Sequence, residues 1–427
     1  MRGPTPMPSL QCRVVGGGSV FNSAICMRLP QWMADRWVDE HDLHGLSEAE
    51  LAPYFERVEK LLNVTPTEEA VWGTRNQLFK KGAEAMGFDP SPILRSVDGC
   101  KGSAACLIGC RNGAKMSTDR KGIPEMLQNG GKLYASVHID EIIMRGNKAC
   151  GVLGRAINPT TGEKTHEVRI SAKCVIMAAG AFHTPTILQR SGITHPELGK
   201  NLRAHPGGIM LARFPEDIQP WMGATQGYHV TRFLPEGIKL EAAWTTQSIF
   251  AANFKGVGEE FTNQVHDMRH MIAWDTWSSG DSCDGQVRAL PGGLHDIQFN
   301  LGQGDANRLQ EGIAKLADMA FAIGAQKVYT VYPEPYAVLY DEDDVRKFRH
   351  ARFEPAQVTT GSNHVFGTTA MGGNPDRYPC DQNGKVRGAE NLYVCDSGLF
   401  PSTPGANPML PLMAVAARMG EQLPGWI

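Results

Sequence analysis

The chain has 427 residues, a formal net charge of −3 and 42% hydrophobic residues. That near balance supplies no basic face for nucleic acid or for an anionic membrane surface, and no apolar run approaches the ~20 residues a membrane helix needs. The opening MRGPTPMPSLQC has no signal-peptide core, so the chain reads as soluble, with cytoplasm and periplasm both open; its length allows two domains or one large one.

Residues 14–29, VVGGGSVFNSAICMRL, place three successive glycines ahead of Ser19 and Asn22. Glycine lets backbone N–H groups approach an anion or a ring closely; a plain tight turn explains the run equally well, and no GxGxxG fingerprint occurs in the chain. Residues 31–63 read as helical, with Ser47 and Glu50 in capping-box spacing, and residues 74–87 as an amphipathic helix stopping at Gly87. Of the ten cysteines, Cys26, Cys150, Cys174 and Cys395 lie in apolar contexts and read as reduced thiols of the core. Cys100, Cys106 and Cys110 are clustered among glycines. They suit an iron–sulfur site or a structural loop with one disulfide or none; zinc lacks a nearby fourth ligand.

Residues 133–178 alternate as a β-meander. The segment KCVIMAAG that follows is continuously apolar, as a buried parallel strand should be, and Gly180 turns it into a helix. Such strand–glycine–helix junctions are where α/β folds hold cofactors. Residues 209–355 read as an antiparallel sheet with covering helices and carry no decodable motif. Near the end, Asn407 is a good N-cap and Pro408 a good first helical residue. They open a helix apolar almost all round, hence buried, whose N-terminus favours negative charge. His364 precedes a Gly-Thr turn upstream. From periodicity alone, Asn407 is a helix cap and His364 a core histidine.

Several separated segments together resemble the glucose–methanol–choline (GMC) flavoprotein oxidoreductases, most closely the branch of long-chain alcohol oxidases and related bacterial dehydrogenases. VGGGSVFNSAICMR is similar to the family's flavin-side Gly-Gly-Ser-Ser-x-x-Asn segment. LAPYFERVEKLL resembles the helix after it, VIMAAGAFHTPTILQRSGI the second family signature, and LGKNLRAHP the Gly-x-Asn-Leu-x-x-His-Pro segment. HVFGTTAMGG and NLYVCDSGLFPSTPGANPMLPLMAVAARM resemble the carboxyl-terminal active-site block.

The resemblance implies a mixed α/β chain. An FAD-binding domain would comprise residues 1–30, 100–208 and 356–427, without the family's N-terminal GxGxxG βαβ unit. A helical segment, 31–99, would cover it, and an antiparallel substrate domain would occupy 209–355. It implies FAD as cofactor, held by Gly17, Gly18, Ser19, Asn22, Ile139, Gly180, Asp396 and Pro408. His364 would be the base that takes the hydroxyl proton of a small-molecule alcohol as hydride leaves for flavin N5, with Asn407 holding the oxygen. Cys-x5-Cys-x3-Cys at Cys100, Cys106 and Cys110 also resembles the spacing that carries a [3Fe-4S] cluster in related flavin dehydrogenases. A partner chain would supply the dinucleotide-binding unit or accept electrons. The alternative is a non-catalytic or fragmentary subunit that needs a separate chain to bind FAD.

Overall fold

The computed structural model describes residues 1–423 apart from 5, 245–246, 252–253 and 255. Two longer helices, Gln31–His41 and Glu48–Leu62, follow the short helical turn Gly18–Phe21. Ser47 caps the second, its hydroxyl accepting the Glu50 N–H at 3.4 Å, as the capping pattern predicts. Leu51, Phe55, Val58 and Leu62 recur every three or four residues and are buried along one stripe. That stripe packs on the last helix, Met409–Gln422, in a core shared with Trp37, Leu410, Ala414 and Val415.

The largest element is a seven-stranded antiparallel sheet. From edge to edge it runs Val338–Leu339, Lys327–Tyr329, Gly207–Arg213, Met271–Ser278, Ile238–Ala243, Tyr228–Val230 and Pro90–Pro92. Strand alternation sends Met210, Ala212, Leu240, Ala242, Ile272 and Trp274 to one face. There they meet the helix Gln303–Ala322 and Phe79 of the helix Gly73–Ala85. The approach is close because Gly312 faces the sheet: a Cβ on it would come within 2.2 Å of the Thr276 hydroxyl oxygen.

The rest of the α/β architecture lies around shorter sheets. Val137–Arg145, Lys148–Ile157 and Lys164–Ser171 form the antiparallel meander. Val175–Met177 pairs in parallel with Leu392–Val394, so the apolar strand does lie in a parallel pair. Its middle residue, Ile176, is nevertheless 47% exposed, because among the described residues it has one neighbouring strand and only its Val175 and Met177 side is covered. The helix Gly180–Arg190 leaves this pair and packs on the hairpin Asp284–Ala289/His295–Asn300 through Ala181, Phe182, Val287 and Phe299. No described helix is long and apolar enough to cross a membrane.

Candidate active site

Two glycine turns open onto free space. Gly16 and Gly17 have φ of 96° and 56°, in the left-handed region that other residues enter only at a cost. A Cβ added to Gly17 or Gly18 would meet nothing within 4 Å. Ser19 locks the loop, accepting the Thr118 N–H at 3.0 Å and bonding to the Gly16 carbonyl at 2.7 Å. Asn22 reaches the far end of the chain, donating from Nδ2 to the Met409 sulfur at 2.9 Å. At the second turn, Gly180 has φ 82° and equally open space where a Cβ would stand. Its N–H donates to the Asp396 carboxylate at 2.9 Å, and the Gly398 N–H does so at 2.8 Å. Thr184 completes the set at 2.5 Å. Burial pushes the Asp396 carboxyl up, and these three donors oppose it. Asp396 thus ties the carboxyl ends of the two parallel strands together. Ile139 stands apart from both turns, beside a bulge at the start of the meander; the carbonyl of its neighbour Asp140 accepts from Arg190 at 3.1 Å.

His364 and Asn407 are linked by a relay of contacts that runs across the large sheet. Lys239, fully buried, donates to Asn407 Oδ1 at 2.6 Å and to Glu241 Oε2 at 3.0 Å. An ammonium only donates, so the atom facing it must be the amide oxygen, and the Asn407 NH2 points elsewhere as a free-handed donor. This corrects the cap expectation. The Asn407 side chain caps nothing; Pro408, with helical φ, is the residue at the helix boundary, because the buried ammonium outcompetes a backbone N–H for the amide oxygen. Glu241 has both oxygens engaged, the second accepting from Trp277 Nε1 at 2.8 Å. The Trp277 ring stacks on His205 with centroids 4.2 Å apart, and His205 Nδ1 lies 3.3 Å from His364 Nδ1.

These contacts follow from strand register. Glu241 stands opposite His229 on one side and Asp275 on the other, and Lys239 opposite Trp277, so one face of the sheet carries a contiguous polar row. Burial pulls the His364 imidazole down to about 4, with Glu241 raising it and Lys239 lowering it. His205 and His229 are driven well below the usual histidine range, chiefly by burial. All three rings are therefore neutral at pH 7. Burial, then the Glu241 charge, drives the Asp275 carboxyl well above the usual range.

Lys239, Glu241, Asp275, Trp277, His205 and His229 were not singled out as site residues by the sequence reading. The signal for the first two was present: in KLEA, Lys239 and Glu241 alternate with Leu240 and Ala242, which puts opposite charges on one face of a strand.

The cysteine expectation is corrected. Among the described residues, no three His, Cys, Asp or Glu side chains are grouped so as to hold a metal ion. Instead the buried Arg95 guanidinium bridges two of the sulfurs, at 3.1 Å from Cys106 and 3.8 Å from Cys100. Lys115 donates to the carbonyls of Cys106, Val20 and Asn22, which makes this loop a brace behind the glycine turn. All ten cysteines are free thiols, Cys26 buried and Cys150, Cys174 and Cys395 only half-buried.

Comparison with known sequences bears out the family. The models of the GMC oxidoreductase amino- and carboxyl-terminal regions match residues 5–207 and 283–416. A GMC-type oxidoreductase of Mycobacterium tuberculosis is 30% identical over 96% of this chain and 64% of its own length. A long-chain-alcohol oxidase of Arabidopsis thaliana is 25% identical over 94% of this chain and 57% of its own. The chain thus spans under two thirds of the length of these relatives. In fold, formate oxidase of Aspergillus oryzae superposes with a TM-score of 0.74 at 15% identity, covering 98% of this chain and 85% of that one. The chain belongs to the GMC oxidoreductases, a flavoprotein family.

The residues present fit FAD. Gly17, Gly18 and Gly180 leave room that a Cβ would fill, and the Asn22–Met409 contact sets the first of these turns against the start of the last helix. Ser19, Asn22, Asp396 and Pro408 stand at these same two places.

Proposed function

We propose that the protein is an FAD-dependent oxidoreductase acting on the CH–OH group of an alcohol. The observation that carries this reading is the neutral, desolvated His364 linked through His205, Trp277, Glu241 and Lys239 to the Asn407 amide, which Lys239 orients. His364 keeps accessible surface although protein surrounds it, as a residue lining an internal space does. When the His364–His205 contact has its proton on His364 Nδ1, His364 Nε2 carries a free lone pair and takes the hydroxyl proton. His205 then acts as a positioning residue. The Asn407 NH2 donates to the substrate oxygen as it becomes alkoxide-like, and Lys239 keeps that amide from flipping. FAD, when bound, supplies the acceptor for the carbon-bound hydrogen and its electron pair, leaving the carbonyl product. Gly17, Gly18, Ser19, Asn22, Gly180, Asp396 and Pro408 would hold it; Ile139, on the meander, is the outlying member of that set.

The test is anaerobic mixing of the FAD-loaded protein with primary and secondary alcohols. The flavin absorbance should bleach, and His364→Ala should keep the flavin but lose the bleaching. Equal bleaching in the variant would remove His364 from the reaction. Preparing the protein with FAD alone and with candidate partner chains also reads whether this chain takes up the cofactor unaided.

A further inference from the structure

The polar row on the large sheet holds two carboxyl groups and one ammonium. Glu241 has both oxygens engaged, by Lys239 and Trp277. Asp275, its cross-strand neighbour, is surrounded by protein, and its Oδ1 is buried without a hydrogen-bond partner. Its side chain still keeps accessible surface, unlike Lys239 and Glu241; it therefore lines a space and does not fill a core. On the other side of Glu241, His229 Nδ1 is likewise buried and unpartnered. A buried polar atom left unmade costs ~1–3 kcal/mol, and two in one row, on the face that reaches Asn407, mark a surface shaped for something it is not yet touching. Lys239 answers Glu241 and the three facing histidines are neutral; Asp275 has no cation hydrogen-bonded to it, and burial with the Glu241 charge favours its protonated form until one arrives.

We propose that Asp275, with His229 beside it, binds a cationic amine at the far end of the substrate, so that the alcohol oxidised is an amino alcohol and not a plain alkyl alcohol. This rests on the oxidation reading for the reacting end only. Lys239, whose ammonium holds Asn407, stands two residues along the sheet and one strand across from Asp275, roughly 8 Å between their backbones. A chain of about six carbons covers that distance. A wholly alkyl tail would leave Asp275 desolvated and unpaired.

Three six-carbon probes test this on the FAD-loaded protein: hexylamine, which has nothing to oxidise, hexanol, and aminohexanol with its two groups at opposite ends. Calorimetry should find hexylamine bound at least tenfold more tightly than hexanol, and Asp275→Asn should abolish that preference. Asp275→Asn keeps shape, so a folding defect in the harsher Asp275→Leu does not blunt the test; near-ultraviolet circular dichroism checks each variant. In turnover, kcat/KM for aminohexanol over hexanol should exceed about tenfold and fall to about one in Asp275→Asn. Hexylamine that does not bind, or binds equally well to folded Asp275→Asn, overturns the amine site while His364-dependent bleaching by alcohols would stand. Hexylamine binding through Asp275 with no bleaching by any alcohol would instead overturn the oxidation reading and keep the amine site.

Discussion

On one face of the seven-stranded sheet, Leu240, Ala242, Ile272 and Trp274 meet a helix and keep no accessible surface. On the other, one residue further along the same strands, Lys239, Glu241, Asp275 and Trp277 form a buried polar row that reaches Asn407. Both faces are largely buried, although Asp275 on the polar one keeps accessible surface. The difference lies in where polar atoms are left unmet: Trp274 Nε1 and Thr276 Oγ1 belong to fully buried residues on the packed face, whereas Asp275 Oδ1 belongs to a side chain that keeps accessible surface. The packed face is closed by dispersion and apolar burial, which have no direction. The polar face is closed by directed bonds, and it stops short of completion at Asp275 and His229. A sheet can therefore be a scaffold on one side and a binding floor on the other, with the register deciding which residue goes where.

The largest way to break the polar face is at the residue it serves. His364→Ala should lower the rate of flavin reduction by about 10³-fold, within the range of lost general acid–base catalysis, as read by stopped-flow absorbance. Lys239→Met comes next. It leaves Glu241 buried without its cation and should cost about 3–5 kcal/mol, visible in thermal unfolding. Lys239→Met with Glu241→Leu should recover most of that stability, because a paired charge removed whole is nearly neutral, yet not the activity, because Asn407 loses the group that orients it. Recovery of both would show that the ammonium is structural only.

The pH dependence sharpens the same point. Folded His364 protonates near pH 4, the unfolded chain near the usual 6.5. Between those values the unfolded state binds more protons, so this residue's share of stability falls as pH drops from 6.5 towards 4. The acid limb of kcat/KM should accordingly lie near pH 4 and not near 6.5. A limb at 6.5 would mean that His364 is hydrated in the working enzyme.

Much of this was legible in the chain. The capped helix after Ser47, the meander, the apolar parallel strand and the last helix are local patterns, and local patterns survive folding because they are satisfied by near neighbours. His364 and Asn407 were legible through the ordered family resemblance and not through their surroundings, which read as a core histidine and a cap. The Asn407 cap was misread because the competing donor, Lys239, comes from a distant strand. Asp275 was hidden for a related reason. HMIAWDTW reads as a strand, but no pattern within it says that Asp275 stands opposite a Glu241 whose two oxygens are already engaged. The cysteines misled in the opposite direction: spacing suited a cluster, while the fold gave two of the sulfurs to Arg95.

The smallest expected effect is also the cleanest comparison between the faces. Thr276 follows Asp275 and so points to the packed side, fully buried against Gly312, with its hydroxyl oxygen unpartnered. There an unmet polar atom has no ligand to wait for; it is only a cost. Thr276→Val replaces the hydroxyl with a methyl of similar size and should stabilise the protein by about 1 kcal/mol, measured by denaturant unfolding, with alcohol turnover and the preference for hexylamine unchanged. Asp275→Asn, one residue earlier, should do the reverse, changing ligand preference far more than stability. If Thr276→Val alters the preference as strongly as Asp275→Asn, the two faces are not independent, and the unmet atoms of the polar row report strain in the sheet as a whole and not a site for an amine.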